Sequence, residues 1–406
     1  MGIIGIGVGA AEILPAMESM PELEIVAGAD IVPQTLERFN ERFPGARTYD
    51  SAEKLCADPD VEAVWIASPN RFHAEHAILA ANHGKHVVAE KPMALSIEQA
   101  EQMCEAADKN GVKLLAGHTQ SFTLPIRAMR KMIQSGRLGK LCAIHIWAYT
   151  DWMLRPRTPD ELDFSQGGGV PWRQVPHQID SVRLLGGGML RSVRGTIGQW
   201  MPERSIPGYY SAYLEFEDGT PVTIMHNGYG YFLGAELVPW GESKQRYDVE
   251  ERNAIRKALR SGTRNETQDK QDMRIGGSAE RQLFREERAK PWIPHDLGMV
   301  VVSCERGDMR HSKYGIYVYD DDGIHDLDLT PKGQTTAGQR RAELEELYNG
   351  VALGKPIFHD GRWGMATLEV SLAIIQSARE RREIMLTHQV PVAPEYDSEL
   401  ELAAVG

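Results

Sequence analysis

The chain opens with Gly2-Ile3-Ile4-Gly5-Ile6-Gly7-Val8-Gly9-Ala10-Ala11, a short apolar run that breaks into closely spaced glycines and continues helically through Met17. Few arrangements satisfy such a string: the glycines must turn the chain at the end of a buried strand, and the next residues must start a helix. In the pattern G-x-G-x-x-A, Gly5 makes the tight turn, Gly7 lets a ligand approach the backbone, Gly9 lies in the same loop and Ala10 keeps the helix close to the sheet. Such a helix start, with unpaired N–H groups and the positive dipole end, suits a diphosphate. Asp30, which ends the second apolar run, would accept both hydroxyls of an adenosine ribose and repel a 2′-phosphate. No arginine follows in Ile31-Val32-Pro33 to hold that phosphate, so the pattern favours NAD over NADP. The ordinary alternative is a glycine-rich turn in some other α/β fold. Only Gly2-Ile3-Ile4 precede Gly5, so the first strand is brief or begins upstream.

Apolar runs recur at 2–6, 24–29, 62–67, 86–90 and 113–116, separated by helical patterns such as 72–83 and 96–110. Strands alternating with helices build a parallel sheet. With the glycine loop, they predict an α/β Rossmann domain over residues 1–120. Ser96 with Gln99 is a reciprocal helix-start pattern, and Gly111 sits where that helix should stop. At 406 residues the chain is too long for one ordinary core. After 120 the texture changes to a helix at 123–135, a long strand at 140–150, hairpin patterns over 209–227 and 316–329, and late helices at 336–349 and 365–380. Hairpins pair strands antiparallel, so residues 121–406 read as an α+β domain. Within it, 241–291 carries Glu250-Glu251-Arg252, Arg256-Lys257 and Arg285-Glu286-Glu287-Arg288 among few apolar residues. That stretch is expected to be a charged, partly helical insertion: a solvated excursion, a lid or a subunit arm.

Ligands of open α/β sheets bind outside the carboxyl ends of the strands. Ser68 and Asn70 follow one such end, and Glu90 and Lys91 follow the next, so both should border the nicotinamide half of the crevice. An ammonium group at the mouth of a buried strand is costly to desolvate, which marks Lys91 for chemistry. The alternative is a stem that snorkels to the surface. Asn70 and His73 are read as shaping the cofactor pocket.

The order of the glycine loop, Ser68-Pro69-Asn70-Arg71-Phe72-His73, Glu90-Lys91-Pro92, Gly167-Gly168-Gly169 with His177 and Asp180, and Arg362-Trp363-Gly364 resembles the Gfo/Idh/MocA oxidoreductase family. The resemblance implies a second domain with an open, mainly antiparallel sheet, used partly to form a homodimer or homotetramer. It also implies hydride transfer between NAD(P) and a secondary alcohol, with Lys91 as catalytic lysine, His177 beside the reacting oxygen, and Pro92 placing the lysine through a cis bond. Where the family carries Asp-x-Gly-x-His, this chain has Arg173-Gln174-Val175-Pro176-His177, so Arg173 replaces the usual aspartate; Gly117-His118-Thr119-Gln120 also lacks the familiar Tyr-Arg pair. Within the family, Asp151-Trp152-Met153-Leu154-Arg155-Pro156-Arg157 and Val301–Asp308 look like those of phthalate 4,5-cis-dihydrodiol dehydrogenases.

A substrate with adjacent carboxylates needs fixed cations, and guanidinium pairs with carboxylate through two parallel bonds. Arg155, Arg157 and Arg173 are the candidates, and an arginine in place of an aspartate suits an anion better than a neutral sugar. The competing readings are a sugar, inositol or glycoside dehydrogenase, and an NAD-sensing subunit that would need neither Lys91 nor His177. Trp147, Trp152 and Trp172 are core residues by default and candidates to line an aromatic pocket. His73 and His76 stand at helical spacing without an evident third ligand, so no metal is expected. A formal charge of −12 argues against a nucleic-acid platform. No run reaches the ~20 apolar residues of a membrane span. The first residues lack a basic segment and cleavage site, and four widely spaced cysteines suit free thiols, so a cytoplasmic location is expected.

Overall fold

The computed structural model describes residues 1–117, 120–241, 247–279, 291–330 and 338–398. Its first sheet comprises β1 (Gly2–Ile4), β2 (Ala27–Ala29), β3 (Arg47–Tyr49), β4 (Ala63–Ile66), β5 (His86–Glu90) and β6 (Leu114–Gly117). All neighbours run parallel, in the order β3-β2-β1-β4-β5-β6. The direction of winding reverses between β1 and β4, which opens a crevice at their carboxyl ends. β1 is shorter than expected because Gly5 turns the chain at φ +86°, where a Cβ atom would lie 2.5 Å from the Ser68 nitrogen. The second strand is also shorter than the run that announced it. β3 was not expected: it is a three-residue edge strand whose Arg47 and Thr48 are exposed, so no apolar run marks it. The helix Ile97–Asn110 begins and ends as expected, with Ser96 Oγ accepting from Gln99 N at 3.2 Å and Gly111 left-handed at φ +65°. The start is not reciprocal, since the Gln99 side chain accepts from Leu95 N.

The second sheet has β7 (Leu141–Tyr149), β8 (Leu190–Gly198), β9 (Tyr209–Phe216), β10 (Pro221–Asn227), β11 (Met299–Cys304), β12 (Gly307–His311), β13 (Gly315–Asp320), β14 (Gly323–Asp328) and β15 (Ile384–Met385). The order is β14-β13-β12-β11-β7-β10-β9-β8-β15, and only β7 and β10 pair parallel. Both expected hairpins are present. Helices Leu124–Ser135, Val175–Gly186 and Gly361–Glu380 cover one face. Along β7, Ile144, Ile146 and Ala148 are buried on that face, while Trp147 on the other is 45% exposed. This alternation is that of an antiparallel sheet covered on one side.

The chain returns late to the first domain. Leu344 and Leu347 of the helix Gly338–Ala352 are buried among Ile13, Leu14 and Met17. The helix Gly361–Glu380, capped by Asp360, packs on both β8 and the helix Ile97–Asn110. The stretch 247–279 is not a wholly solvated excursion: the helix Val249–Ser261 buries its Arg252 and Arg256, the helix Glu266–Asp272 has no buried residue, and Ile275 after it enters the first-domain core. The cluster at 285–288, His118, Thr119 and the start of the 336–349 helix fall outside the described residues. Among the described residues, no helix is long and apolar enough to cross a membrane.

Candidate active site

The cradle at the carboxyl end of β1 follows from its glycines. Gly7 precedes the helix Val8–Glu18, which has no side-chain cap and no acidic residue in its first turn. A Cβ atom on Gly7 would meet no described protein atom within 4 Å, so the space over this helix start is open. Gly9 differs, since a Cβ there would make only ordinary contact with Ala67, and Ala10 is fully buried against the sheet. The Asp30 carboxylate is anchored at the rim: Oδ2 accepts from Ile6 N and Oδ1 from Val32 N, each at 2.9 Å. Ile31 beside it is 87% exposed. An open helix N-terminus and a fixed ribose acceptor fit the diphosphate and adenosine ribose of a dinucleotide.

The ends of β4 and β5 are tied together beneath the crevice. His73 is buried, with Nε2 2.7 Å from Ser68 O and Nδ1 2.8 Å from Pro92 O, and burial lowers its pKa. It therefore clamps the two loops rather than facing the crevice. Ser68 Oγ meets His76 Nδ1 at 3.0 Å. Glu90 accepts from Arg340 Nη1 at 2.9 Å, and Arg340 also reaches Glu12 at 3.4 Å, so the late helix holds the end of β5. The Lys91–Pro92 bond is cis. Lys91 Nζ donates to the Arg173 carbonyl oxygen at 3.4 Å. Burial, with the like charge of Arg173, lowers its pKa to about 8. A lysine poised there can exchange protons near neutrality.

The second domain closes the crevice from the other side. The short helix Val170–Arg173 brings Arg173 to Lys91, and the helix Val175–Gly186 carries the buried His177 close enough to Asp296 to act on its charge. Arg173 Nη1 donates to Asn70 Oδ1 at 3.0 Å, and Asn70 Nδ2 donates to Gly167 O at 2.9 Å. Asn70 thus joins the first domain to the glycine triplet. Half-buried Arg173 has no carboxylate within 4 Å among the described residues. The other two arginines have different surroundings. Arg155 pairs with Asp296 at 2.9 Å and lies 3.6 Å from Asp151. Arg157 is 8% exposed, stacks on Trp152 at 3.6 Å and lies 3.6 Å from Glu161. Trp152 and Trp172 are buried, whereas Trp147 stands on the open sheet face away from this cluster.

Sequence reasoning missed Asp296. Burial would raise its carboxyl, yet Arg155 holds it well below the usual range, with His295 and His177 adding to the effect. Its negative charge in turn opposes the fall at Lys91. It lies just before β11, in Pro294-His295-Asp296-Leu297-Gly298, after a stretch with little pattern. The only signal there is a His-Asp pair at a strand start. Among the described residues, no group of three or more His, Cys, Asp or Glu is placed to hold a metal ion.

Comparison with known proteins agrees with this layout. Residues 1–118 match the oxidoreductase family with an NAD-binding Rossmann fold, and residues 126–231 match a GFO/IDH/MocA C-terminal domain. A 1-carboxy-3-chloro-3,4-dihydroxycyclohexa-1,5-diene dehydrogenase from Comamonas testosteroni is 32% identical over 394 residues, covering 93% of this chain and 94% of its own. A crystal structure from Bordetella bronchiseptica RB50, of a protein described as a dehydrogenase, superposes with a TM-score of 0.84 at 33% identity over 95% of this chain and 98% of its own. Levoglucosan dehydrogenase in complex with NADH and levoglucosan, at a TM-score of 0.71 over 95% of this chain and 98% of its own, shares 18% identity and hence the fold alone.

Proposed function

This chain belongs to the Gfo/Idh/MocA oxidoreductase family, and from that premise we propose that it oxidises the cis-diol of a carboxylated cyclohexadiene. The first domain is an NAD-binding Rossmann domain and the chain an NAD-dependent dehydrogenase. The observation that carries the substrate reading is Arg173. It is a half-buried guanidinium beside Lys91, held by the neutral Asn70 amide; Glu161 lines the same small pocket and feels its charge, but no described carboxylate lies within 4 Å to pair with it. A fixed cation beside the proton-transfer group, in no direct ion pair, favours a substrate that brings its own negative charge. The relative from Comamonas acts on a diol ring with one carboxyl group, and one available arginine suits one carboxylate. Phthalate cis-4,5-dihydrodiol is the dicarboxylate member of the class. With Arg155 and Arg157 engaged by acidic partners, its second carboxylate would need another cation.

Gly5, Gly7, Gly9, Ala10 and Asp30 would hold the diphosphate and adenosine side of NAD, while Ser68, Asn70 and Glu90 would frame the nicotinamide side. Asp30 favours NAD over NADP. NAD+ held there would supply the acceptor for the hydride of the carbinol carbon. Lys91, uncharged, takes the hydroxyl proton as that hydride departs, and His177 holds the same oxygen by a hydrogen bond. Arg173 fixes the ring through its carboxylate. The hydroxy-dienone formed tautomerises to a catechol, whose aromaticity draws the reaction toward oxidation. The open face of the second sheet, with Trp147 and Tyr213 each 45% exposed, is where subunits of a homodimer or homotetramer would pair.

The test is NADH formation from NAD+ with phthalate cis-4,5-dihydrodiol, a monocarboxylated cyclohexadiene cis-diol, myo-inositol and glucose. Turnover confined to the carboxylated diols and lost in Arg173→Ala is the expected result. Turnover with the polyols would overturn the carboxylate reading, and NAD binding without turnover of any of the four would favour a sensing role.

A further inference from the structure

No cation stands in Ile31-Val32-Pro33 directly after Asp30, yet the fold brings one to it from 244 positions away. Arg274 Nη1 donates to Thr35 Oγ1 at 3.0 Å and lies 4.0 Å from Asp30 Oδ1. We propose that Arg274 reads the 2′ position of the adenosine ribose in opposition to Asp30, and that residues 247–279 form the arm that holds it there.

The arm is anchored on both sides of Arg274. On the second domain, Glu266 pairs with both nitrogens of the buried Arg204 at 2.7 and 2.8 Å, and Lys270 meets Glu161 at 2.7 Å. Arg264 donates to Leu154 O at 2.5 Å. On the first domain, Ile275 is 2% exposed within the core, and Gly276, left-handed at φ +67°, carries the chain over Arg38. Arg274 is therefore pinned between two anchors beside the ribose acceptor. A surface arginine swinging free would carry no such reading.

The two side chains act in opposite senses. Asp30 accepts the 2′-hydroxyl of NAD+ and repels the 2′-phosphate of NADP+. A guanidinium is permanently charged and well matched to phosphate, so Arg274 offsets that repulsion. Asp30 sets the preference for NAD+, and Arg274 limits how strongly NADP+ is refused. The inference concerns nucleotide choice alone and stands whatever the substrate.

The test is titration calorimetry of the full chain with NAD+ and NADP+, and with ADP and 2′,5′-ADP, in wild type, Asp30→Ser, Arg274→Ala and the double variant. Asp30→Ser should raise the NADP+:NAD+ affinity ratio by about a hundredfold. Adding Arg274→Ala should take back about tenfold of that gain, the worth of one charge-assisted hydrogen bond. Arg274→Gln, which keeps a donor for Thr35 and removes only the charge, should behave like Arg274→Ala. Each ratio comes from one preparation, so a partly misfolded fraction cancels. A ratio that stays within about twofold when Arg274 is replaced in the Asp30→Ser background overturns the proposal.

Discussion

Lys91 gives a hydrogen bond to the Arg173 main chain while the Arg173 side chain opposes its charge. The ammonium lies 3.4 Å from the Arg173 carbonyl oxygen, and burial together with the guanidinium brings its pKa to about 8. One residue therefore both places the lysine and tunes it.

The first consequence is a pH profile. Lys91 accepts a proton only when uncharged, so kcat/KM for diol oxidation should rise through about pH 8 and level off above it. Arg173→Gln removes a like charge, which favours the ammonium and raises the Lys91 pKa, so the rise should move to higher pH. Lys91→Ala should lower turnover roughly 10²–10⁴-fold, the usual worth of a general base, while leaving NAD affinity near wild type. Initial rates of NADH formation across pH 6–10 check both. An Arg173→Gln profile rising where wild type rises would show that the lysine does not feel this guanidinium.

Asn70 offers a second test, because it holds Arg173 Nη1 at 3.0 Å and Gly167 O at 2.9 Å. Each bond is worth about 1 kcal/mol, so Asn70→Ala should raise KM for the anionic substrate roughly tenfold with a smaller change in kcat. Asn70→Asp is nearly isosteric, yet it would place a carboxylate on Arg173 and neutralise it. It should therefore raise KM more than Asn70→Ala does. The reverse order in steady-state kinetics would mean that Arg173 does not bind the substrate.

The parts of the site legible in the sequence are those made by neighbours along the chain. Gly5, Gly7 and Asp30 are readable because a strand, a turn and a helix must follow one another there, and the buried strands announce themselves as apolar runs. β3 and β8 lack that signal: the first is a short exposed edge, and the second is interrupted by Arg191, Arg194 and Gly195. Arg155 and Arg157 look like Arg173 in sequence, since nothing local says that Asp296 and Glu161 will face them. Asp296 and Arg274 reach the crevice only through the path of a charged segment with little periodicity. The distances that matter to both exist only in the folded chain.

Asp296 should shift the pH profile opposite to Arg173. Its charge raises the Lys91 pKa, so Asp296→Asn should lower it and move the rise in kcat/KM to lower pH. The same change removes the 2.9 Å partner of Arg155, leaving Asp151 at 3.6 Å, so a modest fall in melting temperature should accompany it. A profile that moves upward, or not at all, would place Asp296 outside the electrostatics of the lysine.

Gly5 and Gly7 should fail differently although they share one loop. Gly5→Ala forces a side chain into a left-handed turn 2.5 Å from Ser68 N, so the folded domain itself should be destabilised. Gly7→Ala meets no described protein atom within 4 Å, so stability should stay near wild type while dinucleotide affinity falls at least about tenfold. Urea denaturation paired with NAD titration separates the two. Unchanged NAD affinity in Gly7→Ala would remove the diphosphate from this helix start.

The ion pair of Glu266 with Arg204 carries the last prediction. Arg204 is 1% exposed, and both of its terminal nitrogens are held by Glu266 at 2.7 and 2.8 Å. Glu266 Oε1 also accepts from Arg157 N at 3.1 Å. Truncating Glu266 leaves a buried guanidinium without its counter-charge, which costs about 3–5 kcal/mol where no other group compensates. Arg204 retains bonds to the Met153 and Arg155 carbonyls at 3.1 and 3.2 Å, so Glu266→Ala should fall at the lower end of that range. Because Glu266 anchors the arm bearing Arg274, the loss should appear first as protease cleavage within 247–279 and only then as global unfolding. Limited proteolysis beside a urea titration measures both. A cost below about 1 kcal/mol with an unchanged cleavage pattern would mean that carbonyl contacts alone hold Arg204, and that the arm does not depend on this pair.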